Sequence, residues 1–181
     1  MSFLDVSGVP AQKIYEFTVG GFDTMTQPAS AASVIKFNTS AKGGGLGDAL
    51  PAGTVRFYQR DLRGDPQFIG ENSIGHTPMG SELGLATGLA FDVKVQATVV
   101  KRERISDRRW RTQMSYLLTN ARSNPVTLDF VQRGLDWYWD DTRIVDESRR
   151  SERLDSDGTR WRVELPANAE ATITATFETR Y

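Results

Sequence analysis

The 181-residue sequence contains no cysteine and a single histidine, His76. Disulfides, thiolate metal sites and cysteine nucleophiles are therefore excluded. One imidazole cannot form a histidine cluster, and no nucleophile-elbow pattern supplies a serine for a triad, so His76 is predicted to have a structural role in its Gly-His-Thr-Pro loop. The sequence thus predicts no catalytic residue, no bound metal, no cofactor and no enzyme activity.

The chain also lacks an excess of charge of one sign and a long apolar run. Its 22 basic and 23 acidic side chains nearly cancel, which argues against a nucleic-acid partner. No run of about 18 apolar residues is present, and residues 1–10 lack the pattern of a signal peptide, so no membrane insertion is predicted. One local basic run surrounds Trp110, namely Lys101, Arg102, Arg104, Arg108, Arg109 and Arg111. Because Glu103 and Asp107 interrupt it, it is interpreted as a solvated strand end, with binding of an anionic polymer as the alternative.

Apolar residues recur at every second position, which is the period of a strand with one buried face. Phe91, Val93, Val95, Ala97 and Val99 define one side of a long strand, and about seven short strands follow from residue 91 onward. The predicted fold is all-β and rich in β-sandwich structure. An N-terminal β-layer with a hairpin and long loops over residues 1–90 is predicted to pack on an immunoglobulin-like β-sandwich over residues 91–181.

Three segments are predicted to be turns or loops. Residues 61–66, which include Arg63-Gly64-Asp65, would reverse the chain between two strands of a hairpin. The pair Asp157-Gly158 would form a two-residue hairpin turn, because both central positions of that turn favour residues that tolerate a positive φ. The glycines at positions 43, 44, 45 and 47 are followed by no Lys-Ser/Thr pair, so a flexible connector is predicted there rather than a phosphate-binding loop.

Aromatic residues are concentrated in the triplet Trp137, Tyr138 and Trp139. On a strand the two tryptophans share one face, so the triplet is either part of the core or a ligand-binding surface for a glycan or a protein. Carboxylates lie on both sides of it, at Asp136, Asp140, Asp141, Asp146 and Glu147. Their spacing matches no calcium loop, and a solvated or arginine-paired face is predicted, with a calcium site or a glycosidase pair as alternatives.

Several segments of the chain resemble a known family. They are residues 46–58 (Leu-Gly-Asp-Ala-Leu-Pro-Ala-Gly-Thr-Val-Arg-Phe-Tyr), 68–71 (Phe-Ile-Gly-Glu), 74–78 (Ile-Gly-His-Thr-Pro) and 88–93 (Gly-Leu-Ala-Phe-Asp-Val). The chain is similar there to the C-terminal domain of bacterial mucoidy-inhibitor-A-like proteins, over roughly residues 34–181. That domain has no assigned activity. The resemblance implies a periplasmic or cell-envelope location. It also implies that the chain is a fragment, since members carry a signal peptide and a helical, coiled-coil-like segment before this domain.

The function predicted from these observations is a non-enzymatic binding or assembly module of a bacterial cell-envelope protein. Strand edges and aromatic surface would provide its affinity for a protein partner or for the rest of its own chain. Two other classes stay open. One is a carbohydrate-binding module that uses Trp137 and Trp139, and the other is a glycan hydrolase that uses Asp140 with a second acid.

Overall fold

A computed structural model of the chain describes residues 6–136 and 141–180, and within them the protein is all-β, as predicted. Eleven strands and one short 3-10 helix, with no α-helix, make up the regular structure of this part. The strands are β1 (Ala11–Gly20), β2 (Ala29–Asn38), β3 (Gly53–Arg60), β4 (Pro66–Ile74), β5 (Glu82–Ser106), β6 (Arg109–Asn120), β7 (Val126–Arg133), β8 (Asp141–Glu147), β9 (Glu152–Arg153), β10 (Thr159–Leu165) and β11 (Ala169–Arg180), and the 3-10 helix is Lys42–Gly44.

The strands form two sheets. The larger has nine strands in the order β8-β11-β6-β5-β2-β1-β7-β10-β9, and the smaller is the hairpin β3-β4. The large sheet is mixed, because β1 runs parallel to β7, with Tyr15 opposite Leu128, whereas β10 runs antiparallel to β7. In the described part of the chain, no helix is both long enough and apolar enough to cross a membrane.

The chain divides into two compact units. Unit 1 comprises Met1–Ile14 and Ala32–Leu89, and unit 2 comprises Tyr15–Ala31 and Ala90–Tyr181. By position in the sequence, Tyr15–Ala31 fall within the N-terminal layer predicted above. They belong to unit 2, because β1 pairs with β7 from Tyr15 onward. Sequence proximity could not show this pairing, which joins residues more than a hundred positions apart.

Unit 2 contains a large hydrophobic core made by alternate residues of its strands. Its largest buried side chains are Trp161, Tyr116, Phe130 and Phe177. The rings of Tyr116 on β6 and Phe130 on β7 lie 4.5 Å apart, although β5, β2 and β1 separate these strands in the sheet. In a flat sheet, strands four places apart would be about 19 Å apart. The sheet therefore folds back on itself, and its two inner faces pack together as in a sandwich.

The predicted inner faces agree with the structure over most of unit 2. Val93, Val95 and Ala97 on β5 are fully buried, as are the predicted inner residues of β11. Phe91, which was predicted to share that face, is instead 81% exposed, and Ala90 is buried in its place. Two residues rather than one separate Ala90 from Val93, so the alternation changes phase at this point of the strand.

The two-residue turn predicted at Asp157-Gly158 is wrong. Strands β9 and β10 pair with Arg153 opposite Thr159, so five residues, 154–158, connect them. The only residue with a positive φ outside glycine in the described part is Asn168, and Gly158 has no positive φ either. Side chains close this longer loop, because Asp155 accepts a hydrogen bond from the amide of Asp157 (3.0 Å). A carboxylate that accepts hydrogen bonds from backbone amides can stabilise a connection longer than two residues.

Unit 1 is built around the hairpin of β3 and β4, which confirms the hairpin predicted on sequence. The turn is closed by Asp61, whose Oδ1 accepts hydrogen bonds from the amides of Arg63 (2.8 Å) and Asp65 (3.0 Å). One face of the hairpin lies on the first part of β5. A Cβ placed on Gly70 would come within 2.5 Å of the carbonyl oxygen of Thr87, so this close approach requires glycine.

Candidate functional site

The aromatic triplet predicted as a ligand-binding surface lies outside the described residues, together with Asp140. Strand β8 begins directly after them, at Asp141. The assignment of Trp137, Tyr138 and Trp139 to the core or to a binding surface therefore stays a prediction.

Two of the remaining carboxylates of the predicted acidic face, those of Asp141 and Glu147, are engaged in separate contacts. Asp141 accepts a hydrogen bond from Arg143 (Nε to Oδ2, 2.6 Å), which agrees with an arginine-paired face. Glu147 instead accepts hydrogen bonds from the indole Nε1 of Trp161 (3.2 Å) and from the amide of Ser151 (3.0 Å). In residues 6–136 and 141–180, no three histidine, aspartate or glutamate side chains lie together as candidate metal ligands.

Another carboxylate of this region, Asp155, is held by an arginine. Arg133 Nη1 lies 2.8 Å from Asp155 Oδ1 and 2.6 Å from Oδ2. The hydrogen bond from Arg133 holds the pKa of Asp155 below its ordinary value. A lowered folded-state pKa means that the contact stabilises the fold above the unfolded pKa of about 3.9, and that this stability is lost as the pH falls through the lower folded value.

We expect Asp155→Asn to lower the melting temperature at pH 7 by a degree or two, and to lower it progressively less as the pH falls through the lowered pKa of the wild-type carboxylate. Differential scanning fluorimetry between pH 2 and 7 measures this. Asp65→Asn serves as the control, since the Asp65 carboxylate makes no hydrogen bond within the described part of the chain. An equal loss for Asp155→Asn at both pH values would contradict the assignment.

His76 lies in the loop between β4 and β5, beside a shallow cavity of about 460 Å³ lined by Asp48, Leu50, Pro51, Thr77 and Pro78, among others. Its Nδ1 accepts a hydrogen bond from the amide of Ala52 (3.4 Å). Leu50 and Thr77 form a β-bridge next to it. Through this hydrogen bond His76 connects two loops of unit 1, and its structural role stays a prediction.

The glycine-rich segment folds back onto the end of β2 rather than simply connecting two strands. The amide of Leu46 donates to the carbonyl oxygen of Asn38 (2.8 Å). A Cβ on Gly45 would lie 2.4 Å from the carbonyl oxygen of Ser40, and Gly44 and Gly47 both have a φ of +78°. These glycines serve close backbone packing and left-handed turns.

The basic run lies on β5, β6 and the turn between them, on the outer face of the sheet in unit 2. A polar groove of about 440 Å³ on this face is lined by Lys101, Glu103, Arg111, Gln113, Val145, Asp146 and Thr176. Carboxylates on the same surface form ion pairs with cations of the basic run. Arg109 and Arg111 each lie 3.1 Å from a carboxylate oxygen of Glu178, and Lys101 lies 2.5 Å from Glu103.

The pairing of Lys101 with Glu103 has an electrostatic consequence. The hydrogen bond from Lys101 and its charge hold the pKa of Glu103 below its ordinary value. A surface whose positive charges are matched by its own carboxylates has little field left to attract a polyanion. The groove therefore agrees with the solvated strand end predicted for the basic run.

The structure shows one candidate surface that sequence reasoning missed, which we call the hairpin surface and define as Arg56, Tyr58, Leu62, Phe68 and Glu71. The register of β3 and β4 places Tyr58 opposite Phe68 and Arg56 opposite Glu71. The two rings meet edge to face with centroids 5.7 Å apart, yet Tyr58 is 58% and Phe68 56% exposed. Arg56 Nε lies 3.1 Å from Glu71 Oε2, and Leu62 at the turn is fully exposed.

Unit 1 shows an imbalance between its core and its surface. In the described part of this unit, only Ile14, Val34 and Leu85 are buried hydrophobic residues. Its exposed large hydrophobic residues are twice as many: Val6, Tyr58, Leu62, Phe68, Met79 and Leu89. A small core gives little stability, and exposed aromatic and aliphatic groups beside it are typical of a surface that binds another molecule.

A signal for the hairpin surface was present in the sequence. Once residues 61–66 are assigned to a turn, Thr54, Arg56, Tyr58 and Arg60 share one face of the first strand. Whether that face is inside or outside could not be decided, because it contains both aromatic and charged residues. The contact of the other face with β5 settles it, since Gly70 and Thr87 lie backbone to backbone.

Comparison with known proteins gives no relative: no protein-family model, no curated protein and no solved structure matches this chain.

Proposed function

We propose that this chain is a non-enzymatic binding or assembly module of a bacterial cell-envelope protein, and that it binds a protein partner through the hairpin surface. The observation that carries the proposal is the exposed pair Tyr58 and Phe68 on a unit whose own core is small. The envelope location rests on the resemblance of residues 46–58 and 74–78 to mucoidy-inhibitor-A-like proteins.

The composition of the hairpin surface fits protein recognition. Tyrosine and arginine are enriched among the residues that dominate binding energy, and aromatic rings offer a large contact area with few rotatable bonds. The two rings are already in contact with each other in the absence of a partner. Such preorganisation reduces the side-chain entropy that binding costs.

The immunoglobulin-like character of the half from residue 91 is part of the same proposal. Two groups of neighbouring strands in the folded sheet support it: the four strands β8-β11-β6-β5 and the three strands β7-β10-β9. A sandwich of four and three strands is the composition of constant-type immunoglobulin domains.

The proposed binding is tested by the double variant Tyr58→Ser/Phe68→Ser. Bacterial envelope extract is passed over the immobilised protein, retained proteins are identified, and the affinity of the purified partner is measured. We expect at least a tenfold weaker Kd for the double variant, because each exposed ring contributes about 1 kcal/mol or more at a central contact. Leu154→Ser, which changes an exposed apolar residue of unit 2, is the matched control and should bind as the wild type does.

Circular dichroism of each variant establishes that the fold is retained. Equal retention of the partner by the double variant and the wild type would contradict the proposal. Retention of a glycan instead of a protein, with loss on Trp139→Ala, would favour the carbohydrate-binding class.

A further inference from the structure

The turn of the β3–β4 hairpin presents an arginine and an aspartate on either side of a glycine, in the sequence Arg63-Gly64-Asp65. All three residues are exposed, and Leu62 before them is fully exposed. Neither the Arg63 guanidinium nor the Asp65 carboxylate has a hydrogen bond or an ion pair with another side chain or backbone group in the described ranges. A cation and an anion thus lie two residues apart at the end of the hairpin, each free to bind another molecule.

The other charges of the hairpin are engaged within it. Arg56 pairs with Glu71, and Arg60 donates from Nη1 to the carbonyl oxygen of Gly64 (2.7 Å). The carboxylate of Asp61 accepts hydrogen bonds from the amides of two residues of the turn. With three arginines and three carboxylates in residues 53–74, the hairpin has no net charge. Recognition at the turn therefore depends on two separate opposite charges and not on an excess of one sign.

The turn holds its conformation without these two free side chains. The backbone oxygen of Asp61 accepts from the amide of Gly64 (3.0 Å), and the amide of Asp61 donates to the carbonyl oxygen of Asp65 (3.0 Å). Gly64 has a φ of +90°, a conformation that favours glycine. Asp61 and Gly64 therefore account for the reversal of the chain, whereas the side chains of Arg63 and Asp65 contribute none of its hydrogen bonds. Because the backbone that presents them is already ordered, binding costs less entropy.

The two free groups indicate the chemistry of the molecule that would bind them. A carboxylate with both oxygens free is a ligand for a hard divalent cation such as Mg²⁺ or Ca²⁺. A guanidinium fits a carboxylate, which it can bind through two parallel hydrogen bonds. A receptor that holds a cation with an open coordination position, beside a pocket lined by carboxylates, complements both groups. Integrins, the metal-dependent adhesion receptors of animal cells, recognise Arg-Gly-Asp segments in this way.

We propose that the Arg63-Gly64-Asp65 turn is an attachment site for a metal-dependent adhesion receptor of the integrin type. The Asp65 carboxylate completes the coordination of the receptor's divalent cation, and the Arg63 guanidinium pairs with carboxylates of the receptor. This site lies at the end of the hairpin, apart from the rings of Tyr58 and Phe68, and so goes beyond the proposed function. Only the envelope location, which lets such a receptor reach the turn, rests on the proposed function.

The test measures binding of the whole chain to a purified integrin ectodomain that recognises Arg-Gly-Asp, by surface plasmon resonance in millimolar Mn²⁺. We expect saturable binding that EDTA abolishes. Asp65→Glu should weaken binding about tenfold, because the longer side chain displaces the carboxylate from the cation, and Arg63→Gln should weaken it about fivefold, because it removes the charge.

The matched controls are Asp107→Glu and Arg108→Gln. These two residues are neighbours in another exposed turn, the one between β5 and β6, and both variants should bind as the wild type does. Asp65→Glu and Arg63→Gln should also keep the melting temperature of the wild type, because neither side chain contributes a hydrogen bond to the turn. A loss of binding in these variants then reports the contact with the receptor and not a loss of fold.

The outcomes separate this site from the proposed function. Absence of binding by the wild type, binding that survives EDTA, or binding that Asp65→Glu leaves unchanged would each overturn the inference. Binding that is lost in Tyr58→Ser/Phe68→Ser but kept in Asp65→Glu would overturn it as well, and would assign the contact to the hairpin surface. Retention of a partner from envelope extract is a separate measurement, so the attachment site and the hairpin surface can fail independently.

Discussion

Replacing Trp161 with alanine is expected to lower the free energy of unfolding by about 4 kcal/mol. Trp161 is fully buried and stacks on Phe130, with ring centroids 5.6 Å apart, and it lies 5.9 Å from Tyr116. Its indole Nε1 also donates to the carbonyl oxygen of Arg149 (2.9 Å). The substitution removes the largest side chain of the core at the place where the two halves of the folded sheet meet. The melting temperature should fall by roughly 8–16 °C.

Urea unfolding followed by far-ultraviolet circular dichroism measures this loss. Trp161→Phe keeps most of the ring volume but removes the indole donor, so it should cost about half as much or less. Leu154→Ala, at an exposed site of the same unit, is expected to change stability by no more than about 0.5 kcal/mol. A loss for Trp161→Ala as small as that of the control would show that Trp161 does not join the two faces of the sheet.

Replacing Asp129 with alanine is expected to cost about 3 kcal/mol, for an electrostatic reason. Asp129 is only 1% exposed, and its carboxylate accepts hydrogen bonds from Arg162 Nε (2.7 Å) and Nη2 (2.8 Å). Arg160 Nη1 lies 3.5 Å away on the same side. The bond to Asp129 raises the pKa of Arg162 above its ordinary value. Because an arginine is charged even at its ordinary pKa, Arg162 would keep its charge in the variant and lose its carboxylate partner. Two-point arginine–carboxylate contacts are among the strongest polar contacts in proteins.

The control for this variant is Glu164→Ala on β10, which removes an exposed carboxylate that bonds only to the hydroxyl of Thr127 among its described contacts. It is expected to cost less than about 1 kcal/mol. Arg162→Met tests the pair from the other side and should be milder than Arg162→Ala, since Met retains the apolar stem. Should Asp129→Ala unfold at the same urea concentration as Glu164→Ala, the contact between Asp129 and Arg162 would not be a principal support of the pairing between β7 and β10.

Because Trp161 and Asp129 belong to unit 2 and the hairpin surface belongs to unit 1, the stability variants and the binding variants should change separate observables. Tyr58→Ser/Phe68→Ser should leave the urea midpoint of unit 2 nearly unchanged while weakening the binding of the partner. A loss of binding can then be attributed to the hairpin surface and not to unfolding of unit 2.

The sequence indicated the strands of unit 2 well because each has one buried face. Val93, Val95 and Ala97, or Ile173, Ala175 and Phe177, alternate with polar neighbours in a way that only an extended, half-buried backbone explains. Phe91 shows the limit of this reasoning. Phe91 alternates correctly with Val93 and was therefore assigned to the core, but the strand changes phase between these two residues. Alternation shows which residues share a face, and it does not show where along a long strand that face stops being covered.

The candidate site was less accessible to sequence reasoning. The aromatic density of residues 137–139 drew the prediction toward them, whereas the surface that the structure reveals joins Tyr58 and Phe68, ten positions apart, through the register of a hairpin. A register shift between Phe57 and Tyr58 sets that pairing, and a shift of one residue cannot be derived from composition.

By itself the sequence determined that the chain is all-β, that it has no cysteine chemistry, and which residues of most strands point the same way. Those properties are local, since they follow from residue types and from the period of two along an extended backbone. Only the tertiary structure decided that β1 joins β7 in parallel, that the sheet folds so that Tyr116 meets Phe130, and that the edge of β3 lacks a strand partner in the described part. These features depend on contacts between segments that are distant in the sequence. The net free energy of such contacts is a small difference between large opposing terms, and it cannot be derived from a local sequence pattern.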